Sequence, residues 1–517
     1  MDATGRDQVS SAGRSSSAKE EAHKPTEAAP GIERQDVKAV NVGAATKTSL
    51  YKSRDPVYPK RVYGTFRNVK WVVMALTLGV YYILPWIRWD RGPGAPDQAV
   101  LVDFGAPRFY FFFIEIWPQE IYYITGLLIM AAVGLFLVTA LFGRVWCGYA
   151  CPQTVWTDLF VWVERIVQGD RAARMRLAKA PWSFDKARKI ITTHVIWVLI
   201  AIATGGAMVF YFNDAPTLAQ NFFTGQAPVP AYLFVGILTF TTYSLGGLMR
   251  EQVCIYMCPW PRIQAAMIDQ DALAVTYRPD RGEPRGPHKK GDTWEGRGHC
   301  IDCKQCVVAC PMGIDIRDGL QLECIQCALC VDACNSIMDK VDLPRDLIAY
   351  DTDVNIARHQ AGQPPKYNFV RTRTVFYATI LALVTALMLY GLLTRDFLEV
   401  NALRDRIPNY VTLSDGSVRN GYTIKIHNMR PTEEQFRVTL EGLDGAQFRL
   451  AGDPEDQPTL PTFTAERDRV DTNRLYISVP YEDLPDAEQT PITFRVENIE
   501  RGTVETARSV FVTGGNQ

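Results

Sequence analysis

Cys300-Ile301-Asp302-Cys303-Lys304-Gln305-Cys306-Val307-Val308-Ala309-Cys310-Pro311 and Cys324-Ile325-Gln326-Cys327-Ala328-Leu329-Cys330-Val331-Asp332-Ala333-Cys334-Asn335 carry one spacing twice. Two residues separate the first three cysteines of each run, and three separate the third from the fourth. A four-iron cube needs one thiolate per corner. Two-residue gaps let a tight loop reach three corners, and in the two-cluster ferredoxin pattern the fourth cysteine serves the other cluster. The spacing assigns Cys300, Cys303, Cys306 and Cys334 to one [4Fe–4S] cluster, and Cys310, Cys324, Cys327 and Cys330 to a second. Structural zinc, held by paired knuckles, fits the duplicated run poorly. Asn335 stands where a second proline would follow, and 13 residues separate Cys310 from Cys324. The ligand exchange therefore stays open, and the fold around the clusters is expected to be more helical than a small ferredoxin. His299 beside Cys300 is either a tuning neighbour or a solvated one.

All 12 cysteines of the 517-residue chain lie between Cys147 and Cys334. A disulfide-stapled secreted protein does not cluster them this way. Net charge is −1, which gives no global pull toward nucleic acid. Hydrophobic content is 47%, but apolar runs crowd the first three quarters. Residues 1–50 show no apolar signal core and read as a disordered cytoplasmic tail.

Five runs are long enough to span a bilayer: 71–87, 121–142, 190–212, 231–249 and 375–394. None holds Lys, Arg, Asp or Glu, each of which costs about 2.5–3.5 kcal/mol at a helix centre. A sixth apolar stretch, 109–117, is too short to span, carries Glu115, and is expected at an interface. The segment 143–189 holds nine Lys or Arg, and the loop 213–230 holds none. The positive-inside rule then puts the N-terminus and the cysteine-dense segment in the cytoplasm and the C-terminus in the periplasm.

An internal repeat ends two of these spans. Cys147-Gly148-Tyr149-Ala150-Cys151-Pro152 and Cys254-Ile255-Tyr256-Met257-Cys258-Pro259 both read Cys-x-Tyr-x-Cys-Pro. If helical, each pair presents its thiols on one face. Proline instead favours new helices starting at Pro152 and Pro259, with Cys151 and Cys258 as caps. Soft thiolates select Cu(I), zinc or iron–sulfur; a redox-active thiol pair is the competing use. Met257 is a further thioether, more ordinarily a packing residue. His194 lies in the third run, where a lone histidine can ligate haem or touch quinone.

Residues 400–517 alternate with period two, as in Tyr422, Ile424, Ile426 and Ile492, Phe494, Val496. Ser414-Asp415-Gly416 and Asn420-Gly421 read as turns. An antiparallel β-sandwich of interaction type is expected. The expected domains are 1–50 (tail), 51–270 (transmembrane helices one to four), 271–370 (double [4Fe–4S] ferredoxin-type domain), 371–399 (fifth helix) and 400–517 (immunoglobulin-like sandwich). The fold class is a multi-domain membrane protein: a bundle of about five transmembrane α-helices, a ferredoxin-like 2[4Fe–4S] insertion and that sandwich.

Five spans, twin Cys-x3-Cys-Pro motifs, a double ferredoxin motif and a C-terminal β domain together resemble the CcoG (FixG or RdxA) family of cytochrome c oxidase accessory proteins. The run Cys310-Pro311-Met312-Gly313-Ile314-Asp315-Ile316-Arg317 through Gln326-Cys327 is characteristic of it. The resemblance implies a bacterial inner-membrane protein acting in assembly of the cbb3-type haem–copper oxidase. It implies reduction of Cu(II) to Cu(I), with the eight ferredoxin cysteines holding two [4Fe–4S] clusters. It further implies Cys147, Cys151, Cys254 and Cys258 as copper or redox residues. Copper ions or a copper carrier, oxidase assembly factors and a cytoplasmic electron donor are the implied partners. Two other classes remain open. One is an electron-relay polyferredoxin subunit of another reductase; the other is an assembly scaffold with structural clusters.

Overall fold

The computed structural model describes Gln35, residues 37–39 and residues 55–514, apart from 93–94, 106, 290, 431, 452–461 and 467–468. The tail expected over 1–50 otherwise lies outside the described residues. The chain forms two compact units. One comprises the described residues up to Val80 with Gly134–Gly205 and Leu233–Ala378; the other comprises Tyr81–Val133, Gly206–Tyr232 and Thr379–Gln517.

Five helices are long and apolar enough to cross a membrane: Thr65–Trp86, Pro118–Phe142, Phe184–Val209, Val229–Met249 and Thr372–Leu393. The last leaves Leu383, Leu387 and Leu393 exposed. Water penalises such surface by about 25 cal/mol per Å², whereas lipid tails do not. The chain is a multi-domain membrane protein. All five begin before their apolar runs, and Thr65–Trp86 and Phe184–Val209 do so by six residues, because charged residues there have partners. Arg67 and Lys70, both 5% exposed, pair with Asp158 at 2.7 and 3.6 Å. Asp185 pairs with Lys189 at 2.7 Å along the first turn of its helix.

In the first unit, strands Ala274–Tyr277 and Ile348–Asp351 pair antiparallel, with Ala274 opposite Asp351. Between them lie two helices that carry cysteines, Gln305–Ala309 and Leu329–Met338. Asp332, buried in the second, accepts hydrogen bonds from the backbone N–H groups of Phe66 (3.3 Å) and Arg67 (2.7 Å). It thus caps the first membrane helix, whose leading N–H groups have no partner within the helix. Gly64 sits where any Cβ would overlap the Asp332 side chain. A buried ionic group continues inward. Glu164 pairs with Arg174 at 2.6 Å and also with Arg250. Burial would raise the Asp158 carboxyl, but Lys70 and Arg67 outweigh it and hold it below the usual range.

In the second unit, the apolar stretch 109–117 forms part of a three-stranded sheet of Val100–Asp103, Arg108–Phe111 and Ile114–Ile116. The C-terminal part is a sandwich of two antiparallel sheets. One runs Gln447–Leu450, Arg469–Val479, Val418–Asn428, Leu398–Arg404, with Val411–Thr412 also on Val418–Asn428. The other runs Thr462–Ala465, Glu434–Glu441, Gln489–Asn498, Val504–Val512. Tyr422, Ile424, Ile426, Phe436, Val438 and Phe494 fill its core. The Tyr422 hydroxyl donates to the carbonyl of Val510 at 2.9 Å.

Ser414-Asp415-Gly416 turns, with Gly416 at φ +82°. Asn420-Gly421 does not; both residues lie inside the strand Val418–Asn428. Asn420 is fully buried. Its amide donates to Val512 O at 2.9 Å and its carbonyl accepts from Val512 N at 3.2 Å, joining the two sheets. Gly421 makes room for Asp405. A tertiary partner overrides the local turn preference.

Phe494→Ala is expected to cost the sandwich about 3–5 kcal/mol. In the detergent-solubilised full chain, proteolysis beyond residue 398 should then begin at lower urea concentration. An unchanged onset would refute the place given to this ring in the core.

Candidate metal centres

Each cysteine loop is shaped by two non-glycine residues in the left-handed region flanking its middle cysteine. Asp302 (φ 53°) and Lys304 (φ 57°) flank Cys303; Gln326 (φ 55°) and Ala328 (φ 57°) flank Cys327. Such residues cost on the order of 1–3 kcal/mol each and persist where surroundings impose them. The reversal on either side of the middle cysteine wraps each loop around a common interior. Short helices then start at once, at Gln305 and Leu329, and bring Cys306, Cys310, Cys330 and Cys334 to it.

The structure gathers the eight cysteines around two small cavities. Cys300, Cys303, Cys306 and Cys334 ring one, walled by Tyr277, Met338 and Ile348. Cys310, Cys324, Cys327 and Cys330 ring the other, walled by Val275, Met312 and Ile314. Cys306 lines both. No cysteine is in a disulfide. Among the described residues no three His, Cys, Asp or Glu are drawn together to hold a single ion. Burial, then neighbouring thiols, push Cys310 up to about 12 and Cys324 to about 11. Burial likewise raises Cys306 and Cys330 well above an ordinary thiol.

The surroundings fit iron–sulfur clusters. A bound metal supplies the positive charge that deprotonates buried thiols outright. Backbone N–H groups already point at sulfur: Gln326 N lies 3.4 Å from Cys324 Sγ. Met312 and Ile314 serve Cys310 in the same way, and Gln305 serves Cys303. Such bonds are among the groups that set cluster potential. Arg317, which the spacing did not single out, is 5% exposed and pairs with Asp302 and Asp315 at 2.6 Å each. Its charge acts on Cys306. His299 Nδ1 accepts from Arg281 Nε at 2.9 Å. Burial, then Arg281, hold this imidazole below its usual range.

The two Cys-x-Tyr-x-Cys-Pro segments close alike. Cys151 N donates to Trp146 O at 2.9 Å, and Cys258 N to Val253 O at 2.8 Å. Val145–Tyr149 is a short α-helix and Val253–Met257 a wider π-helical turn, and each ends in a hydrogen bond between residues five apart. Cys151 caps the helix Pro152–Gln168, whereas the helix after Cys258 starts at Trp260, capped by Pro259. The halves interlock. The Cys147 thiol donates to Gln264 Oε1 at 3.0 Å, and Gln264 Nε2 donates to Thr139 Oγ1 at 3.1 Å. Arg144 donates to Pro261 O at 2.7 Å. Cys147 lies within electrostatic reach of Cys151, Cys254 and Cys258, and Cys254 within reach of Cys151 and Cys258. Burial, then these thiols, push Cys147 and Cys254 up to about 12.

Segment 143–149 also docks on the second cysteine loop. Arg144 N donates to Gln326 Oε1 at 2.7 Å, and its guanidinium donates to Leu322 O and, at 3.1 Å, to Cys324 O. A Cβ on Gly148 would lie 2.8 Å from Ile325 O and 3.0 Å from Cys327 Cα. Met257 is exposed. His194 Nδ1 is paired with the Tyr243 hydroxyl at 2.9 Å, edge-on to Trp197.

Loops, cavities and sulfur-directed N–H groups define the class: a membrane-bound iron–sulfur protein. Comparison with known proteins agrees. Residues 249–353 match a family described as "4Fe-4S dicluster domain", and residues 124–168 match a "4Fe-4S binding domain". Residues 388–514 match the "IG-like fold at C-terminal of FixG". The chain is 50% identical to "Nitrogen fixation protein FixG" of Rhizobium meliloti (strain 1021), covering 90% of this chain and 94% of that one. "Protein RdxB" of Cereibacter sphaeroides is 48% identical, covering 91% and 98%. "Protein RdxA" of the same organism is 45% identical, covering 89% and 98%. The chain belongs to the FixG/RdxA family, and its 4Fe–4S binding domains provide for two iron–sulfur clusters.

Net charge near a cluster sets its potential. Arg317→Gln removes a positive charge from the wall of the cavity ringed by Cys300, Cys303, Cys306 and Cys334, so the cluster there should titrate at a lower midpoint potential while the other moves less. An EPR-monitored redox titration reads the difference. Equal shifts in both signals would contradict the placement of Arg317.

Proposed function

We propose that this protein reduces Cu(II) to Cu(I) during maturation of the copper centre of a cbb3-type cytochrome c oxidase. In this reading Cys300, Cys303, Cys306 and Cys334 hold one [4Fe–4S] cluster, and Cys310, Cys324, Cys327 and Cys330 the other. Bound there, the clusters supply one-electron storage. Cys147, Cys151, Cys254 and Cys258 receive the copper. Soft thiolates prefer Cu(I), so they favour the reduced product, and each copper ion takes up one electron.

The observation that carries this reading is the seam between Gly148 and Cys327, which sets the repeated cysteine motif beside the second cysteine cavity. The nine basic residues of 143–189 support placing the clusters on the cytoplasmic face of a bacterial inner membrane and the sandwich in the periplasm. We assign the domains at 51–270, 271–370, 371–399 and 400–517 on that basis. The sandwich carries no cysteine and suits contact with oxidase assembly factors. A cytoplasmic donor provides the electrons.

Anaerobic full-length protein with reduced clusters should regain its oxidised cluster absorbance when Cu(II) is added, with one Cu(I) trapped by a chelator per electron lost. Clusters that stay reduced beside bound Cu(II) would overturn the reductase reading. In cells, Cys303→Ser should then impair oxidase maturation. Normal maturation by a folded variant lacking that cluster would favour a scaffold.

A further inference from the structure

The two Cys-x-Tyr-x-Cys-Pro segments read in sequence as two separate pairs. In the fold they interlock. Gln264, six residues beyond Cys258 in the second half, holds the Cys147 thiol of the first. Arg144 reaches from the first half to Pro261 O in the second. Gln153 Nε2 donates to Leu245 O at 2.8 Å and Arg250 O at 3.2 Å. Such cross-linking leaves the halves little freedom to serve two independent ions.

We propose that Cys147, Cys151, Cys254 and Cys258 form one site that takes a single Cu(I) ion, set against the second cysteine cavity through Gly148. The choice of ion rests on the reductase reading; the union of the halves does not. Among the described residues no three of these thiols are drawn together to hold an ion, so loading turns the thiol side chains toward a common point while the interlocked backbones stay joined.

Anaerobic Cu(I) titration of the cluster-loaded full chain, in competition with a Cu(I) chelator, should find one tightly held ion. The double variant Cys254→Ser, Cys258→Ser should weaken that ion by at least an order of magnitude and leave cluster iron and sulfide unchanged. Cu(I) loading should also shift the EPR signal of one cluster and spare the other. Two ions in the wild type, with one kept at full affinity in the double variant, would overturn the single site. Iron and sulfide beyond two clusters, lost in the double variant, would overturn its assignment to copper. A shift in neither cluster signal would overturn the junction at Gly148. Should one Cu(I) bind while reduced clusters leave Cu(II) unreduced, the reductase reading falls and the site stands.

Discussion

The rest of the first unit depends on the docking of residues 143–149 onto 322–327. Arg144 is the principal clamp. Its backbone N–H and guanidinium together satisfy Gln326, Leu322 and Cys324. Its charge is buried, at 3% exposure, and among the described residues it makes no salt bridge; oriented carbonyl dipoles compensate it, with the charge of Glu323 adding to them. An uncompensated buried cation costs several kcal/mol, so the arrangement persists only if those carbonyls stay in place. The cysteine loop and the membrane-edge motif therefore share one rigid seam. Asp332 adds a second tie by capping the first membrane helix from between Cys330 and Cys334.

Much of the architecture was legible because its signals are local. Two-residue cysteine gaps, a repeated Cys-Pro ending and long uncharged runs each report on structure within a few residues. Ends of the spans were misplaced where charges are neutralised from afar. Arg67 and Lys70 continue a helix inward only because Asp158, far along the chain, is there to meet them. Asn420-Gly421 has ordinary hairpin chemistry, yet Val512 claims the asparagine. The left-handed residues at 302, 304, 326 and 328 carry no glycine signal. Arg317 and Gln264 could have been found only by knowing what they face. The meeting of the two repeated motifs rests on contacts 92 to 117 residues apart, beyond the reach of spacing arguments.

Electrostatics in this unit is organised by compensation. Asp158 and Glu164 lie two turns apart on one helix and each takes two cations. Buried ion pairs of this kind contribute little net stability, but breaking one leaves a charge stranded. They act as registers that fix helix positions, which suits a unit whose centres must stay a set distance apart.

The antiparallel pairing of Ala274–Tyr277 with Ile348–Asp351 has a consequence for the order in which the molecule is made. The first of these strands leaves the ribosome shortly after the fourth membrane helix, and the second shortly before the fifth. The strand pair can therefore close, and the cysteine loops it brackets can be sealed, while the last helix and the sandwich are still unmade. Folding unit by unit along the chain would let the metal-binding module be completed as a hairpin tethered by four helices, before the C-terminal domain exists to be moved anywhere.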